Sequence, residues 1–213
     1  MSSKRDYLFG ILIIGIWALV LFTSIVVILG WWFSVESAKA FVPNTPEMTM
    51  STAIGFFIAS FILVMIFIAN TGPSYMVKQV CDLLLPLFSL ASILLIIPFA
   101  VESQVGAIAF DIDALSMWKS PSLGTIVGFS CISMIGWLYT TQVSLTPVFM
   151  KVFSLLTMLI GIMALVGYSL NMPILYFSFS NSIDRGVAIH TAGLFILSGL
   201  ALLLVSGIPQ HKE

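Results

Sequence analysis

GVAIHTAGLFILSGLALLLVSGIPQH, residues 186–211, holds no Asp, Glu, Lys or Arg. A helix of about 20 residues crosses the ~30 Å hydrocarbon layer of a bilayer, and this stretch is longer than that. Five more uncharged stretches lie upstream, at 7–35, 48–77, 83–101, 120–150 and 152–183. The whole chain is 60% hydrophobic and 8% charged, where a soluble domain carries about a quarter charged residues. It therefore reads as an all-α integral membrane protein, one domain over residues 1–213 with six transmembrane helices. Lys4 and Arg5 precede the first stretch, which is much longer than the apolar core of a signal peptide, so it reads as a span.

Basic residues orient the chain. With the N-terminus inside, Lys4, Arg5, Lys78, Lys151 and Lys212 face the cytoplasm, and Lys39, Lys119 and Arg185 face outward. The expected topology is N-in/C-in, a multi-pass protein of the cytoplasmic (inner) membrane. Cys81 and Cys131 lie near or within spans and read as small buried residues rather than a disulfide. Helix starts are expected at Thr45-Pro46-Glu47 and Ser120-Pro121, with Ser182 or Asp184 capping the last helix. Pro86 and Pro98 are expected to kink the third helix.

Residues 191–195, TAGLF, recur as TAIGF at 52–56 and TIVGF at 125–129. Each Thr-x-x-x-Phe stands near the outer end of an even-numbered helix, and positions i and i+4 share a helix face. Upstream, Ser34-Val35-Glu36, Asp111-Ile112-Asp113 and Asn171-Met172-Pro173 form a weaker correspondence. The unit is thus helix, outer loop, helix, used three times in parallel at approximately 7–70, 83–139 and 152–208. Such repeats imply a pseudo-threefold axis along the membrane normal. Packing alone accounts for the motif, because threonine can bond its own helix and phenylalanine can fill the bundle.

Three stretches carry a family resemblance. PNTPEMTMSTAIGFFIASFILV (43–64), AFDIDALSMW (109–118) and GYSLNMPILYFSFSNSIDRGVAIHTAGLFILSGLALLL (167–204) resemble the multi-span sensor modules that precede bacterial histidine kinases and diguanylate cyclases. Those modules show Asn-Thr-Ala-Leu and His-Thr-Ala-Leu helix starts and a Gly-Ile-Asp-x-Leu loop. Ser51 and Gly124 stand where asparagine is usual. No PAS, kinase or GGDEF region follows Ile208 in this sequence, so the resemblance implies a signalling role carried out through a partner protein.

The chemistry on offer is sparse. His190 stands at a water–lipid boundary, where histidine can ligate a metal, bind a ligand or simply bond a loop carbonyl. One histidine is not a metal site, and no metal is assigned. Met48 and Met50, with Met117 and Met172, form at most a soft-ligand pattern of the Cu(I) type, in a chain rich in methionine throughout. Asp111 and Asp113 share one side of an extended loop, facing either a cationic ligand or water. Trp118 and Tyr168 suit the interfacial level.

No carboxylate, lysine or arginine falls mid-span, where coupled transporters place ionisable groups. Catalytic motifs and basic clusters are absent too, so neither an enzyme nor a nucleic-acid partner is expected. The expectation is a non-enzymatic sensory or ligand-binding module in the lipid bilayer, with a protein partner in the membrane and room for a small-molecule ligand. No cofactor can be named. The pocket would lie between the outer loops and the helix starts, lined by His190, Thr191, Phe195, Thr52, Phe56, Thr125, Phe129, Asp111, Asp113, Trp118 and Tyr168. An accessory subunit of a larger membrane complex is the alternative. A passive channel for a small neutral solute is weaker, because only scattered Ser and Thr hydroxyls are available to line it.

Overall fold

The computed structural model describes residues 4–40, 42, 45–71, 75–105, 121–141, 145–176 and 186–207. Among them every regular element is a helix: α1 (Lys4–Trp32), the short α2 (Glu36–Lys39), α3 (Met50–Thr71), α4 (Tyr75–Val105), α5 (Leu123–Thr141), α6 (Thr146–Leu170) and α7 (Ile189–Ser206), with a 3-10 turn at Pro173–Tyr176. Five are long and apolar enough to cross a membrane: Tyr7–Trp32 within α1, then α3, α5, α6 and α7. The protein is therefore a helical, multi-pass membrane protein. Helix α4 encloses the uncharged stretch 83–101 but also carries Lys78, Asp82 and Glu102, and is not among the five.

The helices form two shells. Helices α3, α5 and α7 touch one another at the centre. Helix α1 packs on α3 and α7, α4 on α3 and α5, and α6 on α5 and α7. Each outer helix thus covers one seam of the central triangle. About half of each inner span is buried, against 28% of α1 and 33% of α6, whose free faces are apolar and suited to lipid.

Two sequence expectations need correction. Helix α3 does not begin at Thr45-Pro46-Glu47. The Thr45 hydroxyl turns back to the Val42 carbonyl at 2.7 Å, and the Met48 N–H donates to the Lys39 carbonyl at 3.0 Å. That tie keeps the segment before the helix extended, and Thr49 becomes the cap. Likewise Ser122, rather than Ser120, caps α5 (Ser120 lies outside the described residues). Helix α4 runs continuously through Pro86 and Pro98. Ser182 and Asp184 lie outside the described residues, and the residue preceding α7 is Ala188.

Where α1 and α6 end, the chain makes the same turn twice. Ser34 and Asn171 take positive φ, 56° and 53°. Beyond them, Val35 N–H donates to Gly30 O and Met172 N–H to Gly167 O, both at 2.8 Å. This is the long bond of a left-handed helix terminus, satisfying a carbonyl the helix leaves open.

Candidate functional site

The three phenylalanines of the repeated motif meet on the bundle axis. Phe56 lies 4.8 Å from both Phe129 and Phe195, and Phe129 lies 5.3 Å from Phe195, between ring centroids. All three are fully buried. Lipid is as apolar as a side chain, so burial itself contributes little here. Dispersion and edge-to-face ring geometry hold the cluster. Glycine makes the approach possible: a Cβ on Gly55 would lie 2.6 Å from Phe129, and one on Gly128 2.5 Å from Phe195. The position that corresponds in α7 is Leu194.

One turn toward the loops, the threonines of the motif converge. Thr52, Thr125 and Thr191 line a cleft with Glu47, Met48, Thr49, Pro121, Ser122, Gly186 and Ala188, and the water-sized space within it is about 10 Å³. The N-termini of α3, α5 and α7 all open on it. In α3 the Thr49 hydroxyl accepts from Thr52 N–H at 3.2 Å and shares a hydrogen bond with the Thr52 hydroxyl at 2.8 Å. In α5 Ser122 does the same for Thr125, at 3.3 and 2.9 Å. In all three helices the cap carbonyl accepts the first helical bond, Ala53 to Thr49, Ile126 to Ser122 and Ala192 to Ala188. Ala188 has no hydroxyl, and α7 starts without a side-chain cap. Thr191 itself is buried, 1% exposed.

The loops around this cleft are tied down in matching ways. Trp31 donates its indole N–H to Met48 O at 2.8 Å, and Tyr168 donates its hydroxyl to Val187 O at 2.7 Å. Met48 N–H bonds Lys39 O, and Val187 N–H bonds Tyr176 O at 2.8 Å. Lys39 sits 4.6 Å over the Trp31 ring, while Tyr176 stacks on Tyr168 at 4.5 Å. Lys39 also pairs with Glu36 at 2.7 Å. That hydrogen bond, with the lysine charge, holds the Glu36 carboxyl below its ordinary value.

Of the sequence candidates, Thr52, Phe56, Thr125, Phe129, Thr191 and Phe195 come together. Tyr168 stands in the neighbouring clamp, and His190 is buried on α7 outside the cleft lining. Asp111, Asp113 and Trp118 lie outside the described residues, as does Met117. Met48 is buried in the core, Met50 half-buried and Met172 exposed. Sequence reasoning missed Thr49, Ser122, Glu47, Gly186 and Ala188. The signal for the first two was a hydroxyl three residues before the repeated threonine, the ordinary N-cap spacing. No protein-family model, curated protein or solved structure matches the chain.

Proposed function

We propose that the chain is a six-span, N-in/C-in sensory module of the bacterial inner membrane, built as three parallel helix–loop–helix repeats. In this reading it binds a small ligand in the cleft and signals through α7 to a partner protein. It performs no catalysis of its own. Helix α4 supplies the sixth span and the middle repeat. The matched turns at Ser34 and Asn171, and the matched clamps of Trp31 and Tyr168, support the repeat. The role so described is the one the sensor-module resemblance implies.

The observation that carries the functional reading is the convergence of three helix starts on one cleft, over a packed aromatic floor. A ligand there touches α3, α5 and α7 at once. It shifts their arrangement to the extent that it prefers one arrangement over another. The phenylalanine cluster fills the axis just beneath the cleft, which disfavours a central pore. Hydroxyls along the spans are mostly spent on their own helices, as with Ser60 on Phe57 O, Ser154 on Met150 O and Thr157 on Phe153 O.

The test is extraction of the chain in native lipid nanodiscs, followed by mass spectrometry for small molecules and proteins. A retained small species that disappears in Thr191→Val supports the sensory reading. A stoichiometric second protein with nothing bound in the cleft favours the accessory-subunit alternative instead.

A further inference from the structure

Hydroxyls inside the spans mostly find an acceptor on their own helix. On α5 the Ser130 hydroxyl donates to Ile126 O at 2.8 Å, and Ser60 and Ser154 do likewise on α3 and α6. Three serines break the pattern. The hydroxyls of Ser89 and Ser92 on α4 and of Ser133 on α5 have no hydrogen-bond partner among the described residues. Their residues are 0%, 1% and 0% exposed.

The three belong to one seam. On α4, Asp82, Leu85, Ser89 and Ser92 recur every three or four residues and so share a face. Ser89 abuts Gly136 of α5, where a Cβ would run into its hydroxyl. Asp82 lies within electrostatic reach of Tyr139, also on α5. Numbers therefore rise along α4 as they fall along α5. This antiparallel register brings Ser92 level with Ser133, one turn beyond Gly136.

A hydroxyl buried in an apolar bundle needs a partner, and the neighbouring side chains supply none. That partner must both donate and accept, because each serine hydroxyl does both. A cation would want a carboxylate, but Asp82 stands seven residues before Ser89, about 10 Å along the helix, with the buried Leu85 between them. An anion would want a positive charge, and Lys78 is a further turn away. Leu85 and Ile62, both fully buried, bound the seam with apolar side chains. We propose that ordered water bridges Ser92 and Ser133 and extends to Ser89, joining α4 to α5 within the bilayer. The site gives α4, which is not among the five apolar spans, a polar attachment to the bundle. It is separate from the cleft and does not depend on the sensory reading.

The experiment is water-edited solid-state NMR of the full chain in lipid bilayers, with thermal unfolding of serine variants alongside. Magnetisation from water should reach the amides of Ser92 and Ser133 as quickly as it reaches the helix ends, and should not reach that of Ser154. Ser133→Ala should abolish the transfer at Ser92 and lower the unfolding midpoint by about 2–4 °C, because the bridge loses an anchor. Ser92→Ala should act alike, and the double variant should lose little more than either single one. A dry seam predicts the opposite sign, since deleting an unpartnered hydroxyl leaves the midpoint unchanged or raises it. Such midpoints overturn the proposal, as does water transfer that survives both substitutions. If the variants do not fold, the wild-type spectrum decides alone. No transfer at Ser92 and Ser133 in wild type overturns the proposal whatever the variants do.

Discussion

The Trp31 indole donates to the Met48 carbonyl at 2.8 Å, fastening the end of α1 to the residue just before the cap of α3. Tyr168 does for α6 and α7 what Trp31 does for α1 and α3, with a phenol in place of an indole and Val187 as acceptor. The two side chains share no chemistry beyond an aromatic body and a polar tip, which suits a residue with one end in the bundle and one at its rim. The position, and not the residue type, is what the two halves have in common.

Removing either donor should therefore have the same effect. Trp31→Phe and Tyr168→Phe each leave a buried carbonyl short of a partner and should cost about 1–2 kcal/mol. Both should lower the unfolding midpoint in nanodiscs, and the double variant should be additive, because the clamps hold different helix pairs.

The aromatic cluster should tolerate neither loss nor crowding. Phe56→Ala, Phe129→Ala and Phe195→Ala each open a cavity on the axis, at about 3 kcal/mol, the low end for soluble cores. Gly128→Ala drives a methyl into the Phe195 ring and should cost roughly 1–3 kcal/mol. Combining Gly128→Ala with Phe195→Leu should recover part of that loss. Unfolding of the single and double variants measures the coupling.

Cap removal should separate the inner helices. Thr49→Ala and Ser122→Ala each delete a hydroxyl that accepts from the first helical turn, at about 1 kcal/mol. Amide exchange should quicken at the start of α3 in the first variant and of α5 in the second. The start of α7, which has no side-chain cap, should already exchange faster than either in wild type.

The loop clamp should weaken in acid. The Lys39 hydrogen bond and charge depress the Glu36 carboxyl below 4.5 in the folded protein. A depressed carboxyl contributes stability that is complete above its unfolded value and is lost as pH falls through the folded one. The unfolding midpoint of wild type should drop below about pH 4.5, and Glu36→Gln should lack the pair's contribution at neutral pH and show a flatter acid limb, so that the two proteins converge in acid. The pair is exposed on the glutamate side, so added salt should shrink the difference.

Much of this arrangement is legible in residue order. Uncharged length alone marks α1, α3, α5, α6 and α7. The recurrence of Thr and Phe at fixed spacing picks out Phe56, Phe129 and Phe195, which meet in space although far apart in sequence. Thr45-Pro46 misleads because a hydroxyl before proline serves a turn as well as a helix start, and only the bond from Met48 to Lys39 decides between them. The difference between the three helix starts was hidden for a related reason. Ala188 draws attention only when set beside Thr49 and Ser122, and that comparison needs the first helical bonds of all three helices. His190, the most conspicuous residue in the sequence, stands next to the informative one.

Spin labels at Thr71 and Ser206, in the last turns of α3 and α7, read the coupling between the cleft and the far side of the bundle. If the state of the α7 start is transmitted along that helix, the distance distribution should shift by a few ångströms between wild type and Ala188→Ser. Superimposable distributions, in samples where Ala188→Ser has raised the unfolding midpoint, would show a cap that stabilises α7 without moving it and would contradict a sensory role.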